Sequence, residues 1–243
     1  MSTPMRCLCA VAALLLLAAC SPSPQTGAPA GAQAPAGGAG ADSAQQAKAL
    51  GMYRDMLAGQ QWELAAPIGK EIVDKYPGSA AAAEVQKTLA DASAKADAEA
   101  TRRRLAALWI YQSGKESGAD QVTASIYSRD LAAANRVRLI LRRHAKWGQS
   151  VYLFGSGKGF ACKGVCKLEA SFDGQPAKLA AFLPDSGEPA IFIKDDKGFI
   201  ARLAGTRLLT IKVTEKGKDA RELGFEVGGY DAAKFPQLAG SRK

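Results

Sequence analysis

Arg136-Val137-Arg138-Leu139-Ile140-Leu141-Arg142-Arg143-His144-Ala145-Lys146 changes the period of the chain. Val137, Leu139 and Leu141 occupy alternate positions, and a strand turns alternate side chains to opposite faces. Three apolar side chains on one face need a core beneath them, so the stretch predicts a half-buried strand. Arg136, Arg138 and Arg142 hold the other parity. They predict a basic row on the solvent face, with Arg143, His144 and Lys146 at its end. Fold and first candidate site are thus read from the same eleven residues.

The same alternation recurs on both sides of it. Val122, Ala124 and Ile126 precede it, and Val151 and Leu153 follow. Leu168, Ala170 and Phe172 come next, then Ile191 and Ile193, then Leu209, Ile211 and Val213, and finally Leu223, Phe225 and Val227. Turn chemistry separates them: Asp173-Gly174, Pro184-Asp185-Ser186-Gly187, Asp195-Asp196-Lys197-Gly198 and Lys216-Gly217-Lys218-Asp219. Phe199 to Leu203 reads as either a short helix or another strand. Seven to nine short strands at regular spacing predict an antiparallel β-sandwich or small barrel over 113–232, with a C-terminal tail over 233–243.

Upstream, over 42–112, the vocabulary is Ala, Leu, Lys and Glu, the residues of helices. Leu50, Tyr53, Met56 and Leu57 recur at helical spacing, and Trp62 to Tyr76 places Ile68, Ile72 and Val73 on one side. Pro77-Gly78 stops that second helix, and Ser79 suits the N-cap of a third running from Ala80 to about Tyr111. The Ala-rich middle of the third, Ala90 to Ala100, predicts a bend or a length standing clear of a core. The fold class expected is α+β, a helical hairpin or three-helix segment followed by the β domain.

Two resemblances attach to these stretches. Ile72-Val73-Asp74-Lys75-Tyr76-Pro77-Gly78-Ser79, running on into Ala80 to Glu84, resembles the junction in tetratricopeptide-type hairpins of envelope lipoproteins. It covers about one repeat where stable arrays take about three, so a single hairpin is implied. The β part resembles an uncharacterised module of bacterial envelope proteins, on Leu139, Leu141-Arg142, Trp147-Gly148, Phe160, Cys162, Cys166, Phe172-Asp173-Gly174, Phe192-Ile193 and Phe225. That resemblance implies no activity.

The N-terminus reads as an export signal over 1–19. Arg6 supplies the positive charge, and Leu8 to Ala19 is apolar but too short to cross a hydrocarbon core, which takes roughly 20 helical residues. The run ends in Leu17-Ala18-Ala19-Cys20, which resembles the lipobox of bacterial lipoprotein precursors. The resemblance implies acylation of Cys20, loss of the peptide before it and, with Ser21 next, an outer-membrane address. Two or three acyl chains would hold the protein on a bilayer, each buried methylene contributing about 0.8 kcal/mol. From Cys20 through residue 41 the chain is almost entirely Ala, Gly, Pro, Ser and Gln, which predicts a flexible leash.

Few chemical constellations are present. Cys7 and Cys9 belong to the signal and Cys20 to the lipobox, leaving Cys162 and Cys166 as a pair with three residues between them, the pattern of a structural disulfide in an oxidising compartment. Redox-active pairs use two intervening residues at a helix N-terminus. Gly155-Ser156-Gly157-Lys158-Gly159 lacks the helix a phosphate loop needs, because Phe160-Ala161-Cys162 continues as strand, so a hairpin loop is expected. One histidine in the chain leaves His144 as the only imidazole, without a nucleophile elbow or a metal motif around it. No cofactor or metal is expected.

Charge is unevenly divided. Residues 43–112 carry nine Lys and Arg against eight Asp and Glu, whereas 113–243 carry 22 against 14, so the basic excess lies in the β part. Nucleic acid is disfavoured as a partner by the exported address and by the lack of aromatic residues interleaved with the arginines. The expected function is a non-enzymatic binding or scaffolding module, joined to a membrane through Cys20. Arg136, Arg138, Arg142, Arg143 and Lys146 would face an envelope protein, a lipid A phosphate, an anionic phospholipid or an acidic glycan. The alternatives are a periplasmic inhibitor or immunity-type lipoprotein, and an envelope hydrolase.

Overall fold

Helices with one apolar stripe gain little stability alone and are ordered by burying that stripe against each other. The computed structural model describes residues 38–238, except 130, 131, 133 and 134. The export signal, Cys20 and the linker through residue 37 lie outside the described residues. Three helices come first: α1 (Gly38–Ala58), α2 (Trp62–Lys75) and α3 (Ala80–Ala107). Tyr53, Ala65, Ile72, Ala81 and Val85 form their shared core, with Leu50, Leu57, Ile68 and Leu89 packed around it. Gly69 permits the close approach, since a methyl group there would stand 2.6 Å from the Tyr53 ring. Ser79 caps α3 as expected, its side chain accepting from the Ala82 N–H at 3.1 Å.

The third helix is one unbroken run of 28 residues, about 42 Å long at 1.5 Å per residue. It ends earlier than its periodicity suggests, because Trp109 and Tyr111 are drawn to the sheet. The Trp109 indole N–H donates to the Val227 carbonyl at 3.3 Å, and its ring lies 5.2 Å from that of Tyr230. Arg104 adds a two-pronged pair with Glu226, at 3.1 and 3.0 Å. Gly229 is required at this junction, because a Cβ there would fall 2.2 Å from the Leu105 carbonyl.

The β part is one antiparallel sheet of nine strands: β1 (Ile110–Glu116), β2 (Ala119–Tyr127), β3 (Arg138–His144), β4 (Gly148–Phe154), β5 (Val165–Phe172), β6 (Gln175–Phe182), β7 (Ala190–Ile193), β8 (Leu209–Thr214) and β9 (Ala220–Phe225). Their order is β1-β2-β3-β4-β7-β6-β5-β8-β9. The first four run as a meander. The chain then crosses to β5 and returns through β6 and β7 to pair with β4. A short helix, α4 (Asp196–Leu203), carries it back to the free edge of β5. Phe199 to Leu203 is therefore helical. The fold class is α+β, with the helical part first and the antiparallel sheet after it.

Ser117-Gly118 and Asp173-Gly174 each join two strands with both residues at positive φ, the two-residue turn whose twist matches the flanking strands. One face of the sheet packs into a single core, with Leu139, Leu141, Val151, Leu153, Ile191, Phe172, Ile211 and Phe225 among its members. The Arg129 N–H donates to the Gly224 carbonyl at 2.9 Å, so the exit of β2 meets β9 and the sheet rolls round that core. The stretch read as a tail is partly core as well: Phe235 is buried and Leu238 packs against the cluster.

Candidate functional site

Register decides what the outer face of the sheet carries. The pairing sets Ser125, Ile140, Tyr152, Phe192, Phe182 and Val165 side by side across β2, β3, β4, β7, β6 and β5. Their neighbours in sequence point into the core, so this row stands on the opposite face. On one flank Tyr127, Arg138 and Phe154 lie opposite each other, and on the other Thr123, Arg142 and Ser150 do. Lys194 follows Ile193 at the end of β7, its N–H bonded to the Ala180 carbonyl, and Ala180 pairs with Lys167. An apolar row is thus bordered by Arg142, Lys194 and Lys167.

The rings are stacked on one another. Tyr152 and Phe192 are 4.7 Å apart at 22°, and Phe192 and Phe182 are 5.6 Å apart at 28°. The Arg142 guanidinium lies 5.3 Å from the Tyr152 ring and 5.2 Å from Trp147, while its Nε donates to Ser150 Oγ at 3.2 Å. Arg138 lies 5.9 Å from the Tyr127 ring. Among the described residues, no carboxylate forms an ion pair with Arg138, Arg142, Lys167 or Lys194. Burial pushes the Tyr152 phenol above its usual range, against the pull of both arginines. Ile110, Tyr127, Trp147, Phe154, Val165 and Phe182 are all exposed, and all belong to this face or its β3–β4 turn.

A groove of about 480 Å³ adjoins the row between β1 and β4, lined by Gln112, Gln121, Thr123, Ser125, Arg138 and Tyr152, with Glu116 as its carboxylate. Gln121 Oε1 is buried there without a hydrogen-bond partner.

The five basic residues expected to act together are divided by the structure. Arg138 and Arg142 share the outer face as their parity requires. Arg136 is exposed but precedes β3. Lys146 sits in the β3–β4 turn, its ammonium donating to the Ser117 carbonyl at 3.2 Å. Arg143 does not belong to the basic row. It has the parity of Leu139 and Leu141, is 8% exposed, and lies 4.2 Å over the Phe235 ring. Its Nη1 donates to the Phe235 carbonyl and its Nε to Gln149 Oε1 at 3.0 Å.

His144 is fully buried. Its Nδ1 accepts from the N–H groups of Lys146 and Trp147 at 3.1 and 3.2 Å, which leaves Nε2 as the donor to the Glu116 carbonyl at 3.0 Å. The indole of Trp147, stacked 3.8 Å away, covers the ring. The imidazole is thus an organiser of the turn. Residues 155–159 connect β4 to β5, which are not neighbours in the sheet, and lead into a β-bridge between Phe160 and Glu215 rather than a helix. Cys162 and Cys166 are bonded, with Cα atoms 5.7 Å apart, tying that connection to the start of β5.

The chain matches no protein-family model, no curated protein and no solved structure. Among the described residues no group of His, Cys, Asp and Glu could hold a metal ion, and no helix is long and apolar enough to cross a membrane. Sequence reasoning missed the aromatic half of the face. The rings do interleave with the arginines, but through cross-strand pairs such as Tyr152–Phe192 that no local pattern announces.

Proposed function

We propose that this chain is a lipid-anchored, non-enzymatic binding protein of the bacterial outer membrane, and that the outer face of β2, β3, β4, β7 and β6 docks an anionic component of the cell envelope. The anchor rests on Leu17-Ala18-Ala19-Cys20. The docking reading is carried by one observation: among the described residues, Arg138 stands beside the exposed Tyr127 ring and Arg142 beside the exposed Trp147 ring, neither in an ion pair with a carboxylate. Cations outside any ion pair, set beside apolar area, complement the potential of an anionic surface. The non-enzymatic reading is supported by the chain's one imidazole being enclosed by Trp147 and backbone groups.

The test is in-cell cross-linking of the tagged lipoprotein, with recovery of bound protein, glycan and lipid. Charge reversal of Arg138 and Arg142 together should remove the principal adduct and leave the fold intact. Metabolic labelling with a fatty acid should mark the wild type and not Cys20→Ser. Unchanged adducts in the double reversal would defeat the docking reading, and label retained by Cys20→Ser would defeat the anchor.

A further inference from the structure

We infer that the partner of this face is the surface of an anionic phospholipid bilayer, an inference that rests on the docking reading above and names its occupant. Three features of the geometry select a bilayer over a polyanion in solution. The first is the state of the rings. A sugar or a base stacks on a free aromatic face, but Tyr152 is covered by Arg142 on one side and Phe192 on the other, and Phe192 is covered by Phe182 in turn. One face of Trp147 is likewise taken by His144. Rings stacked in this way leave largely their edges to meet a partner, and edges suit a partly apolar, partly anionic medium.

The second feature is where exposed apolar area lies. Every large exposed hydrophobic side chain in the strands and the β3–β4 turn belongs to this one face, and Trp147 is half exposed at the end of it. An aromatic residue at a headgroup boundary keeps its polar edge wet while its body sits against acyl chains. The third is the cationic border. Arg142, Lys194 and Lys167 run beside the apolar row, with Arg138 on the other flank. Basic residues bordering an apolar strip can reach lipid phosphates while the strip enters the interface, and the two terms add. The core lies behind the sheet, so docking needs no rearrangement of it.

The experiment uses the full mature chain carrying Cys20→Ser, so that no acyl chain contributes. Flotation is measured with vesicles of phosphatidylcholine alone and of phosphatidylcholine mixed equally with phosphatidylglycerol, and competition with a soluble polyuronate and with single-stranded DNA. The protein should float with the anionic vesicles and not the neutral ones, with a blue shift in tryptophan fluorescence that is absent in Trp147→Phe. Arg138→Gln with Arg142→Gln should weaken binding about thirtyfold, at about 1 kcal/mol for each cation near the surface. Phe182→Ser with Val165→Ser should weaken vesicle binding at least tenfold while leaving any polyuronate binding unchanged. Urea midpoints close to wild type confirm that these outward-facing variants fold.

If the anionic vesicles bind no better than the neutral ones while polyuronate or DNA binds, the bilayer inference falls and the anionic docking reading stands. The bilayer inference falls equally if the Phe182 and Val165 substitutions leave vesicle binding untouched. If vesicles, polyuronate and DNA all fail to bind, both readings fall.

Discussion

Replacing Arg143 by alanine separates a structural arginine from its two neighbours of similar appearance. In the folded chain the guanidinium donates to the Phe235 carbonyl and to Gln149, and it covers the Phe235 ring at 4.2 Å. A hydrogen bond from a charged donor to a buried acceptor contributes about 1.5–3 kcal/mol, and its loss leaves that carbonyl unpaired. Contact with the ring adds about 0.5–2 kcal/mol, and the alkyl stem adds packing. Burial opposes these gains, since it also lowers the Arg143 pKa by penalising the charge. The net expectation is a loss of about 3 kcal/mol for Arg143→Ala. At a slope of about 2.5 kcal/mol per molar urea, the midpoint should move down by about 1 M. Arg138→Ala and Arg142→Ala, on the partly solvated outer face, should stay within about 0.5–1 kcal/mol of wild type. A cycle with Phe235→Ala should return a coupling of at least about 0.5 kcal/mol, because the two groups are in contact. Equal midpoints for the three arginine variants would refute the parity argument that separates Arg143 from the docking face.

Glu215 should give the fold an acid-sensitive contact. Burial alone would raise its carboxyl, but hydrogen bonds from Lys218 and Arg221, with their charges, bring the net shift below the ordinary glutamate range. A depressed folded value contributes stability that is complete above about pH 4.5 and lost as pH falls through the folded value. Glu215→Gln should therefore be less stable at neutral pH and show a shallower decline as pH falls below about 4.5, as followed by urea midpoints; parallel curves would sink the assignment. Removing the disulfide with Cys162→Ala and Cys166→Ala should cost at most about 2 kcal/mol, because the loop closed is so small. A loss above about 4 kcal/mol in denaturant titrations would mean the bond does more than close a loop.

What could be read in advance follows the range of each signal. Asp173-Gly174 announced its hairpin because a two-residue turn at positive φ is a local demand. The alternating segments from Val122 to Phe225 became strands because a half-buried sheet needs apolar side chains at every second position. β6 was not legible: Ala177, Leu179 and Ala181 keep the parity, but alanine carries no β signal and Pro176 argues against a strand. β1 was not legible either, since an edge strand with little buried area needs no alternation, and Ile110 and Tyr111 simply prolong the helical period of Leu105 and Leu108. Arg143 was legible in principle, because its parity with Leu141 already placed it on the core side. The aromatic row was not, because Tyr152 and Phe192 are brought together only by the insertion of β7 beside β4.

An antiparallel sheet with one solvated face normally alternates apolar inward with polar outward. Here the outward positions of β4, β7 and β6 are Tyr152, Phe192 and Phe182, although among the described residues they belong to no buried core cluster. Such a row would invite association unless its area is reduced or its surroundings are charged. The structure does both. Stacking hides ring faces that would otherwise meet water, and the cations along both flanks repel a second copy of the same face. The cations that keep the row apart from its own kind are also the groups that an anionic surface would satisfy. Charge reversal at Arg138 and Arg142 should then have two consequences of opposite sign, weaker docking to anions and a stronger tendency of the chain to self-associate. A core-facing or merely solubilising role for these two arginines accounts for one of those consequences but not for both.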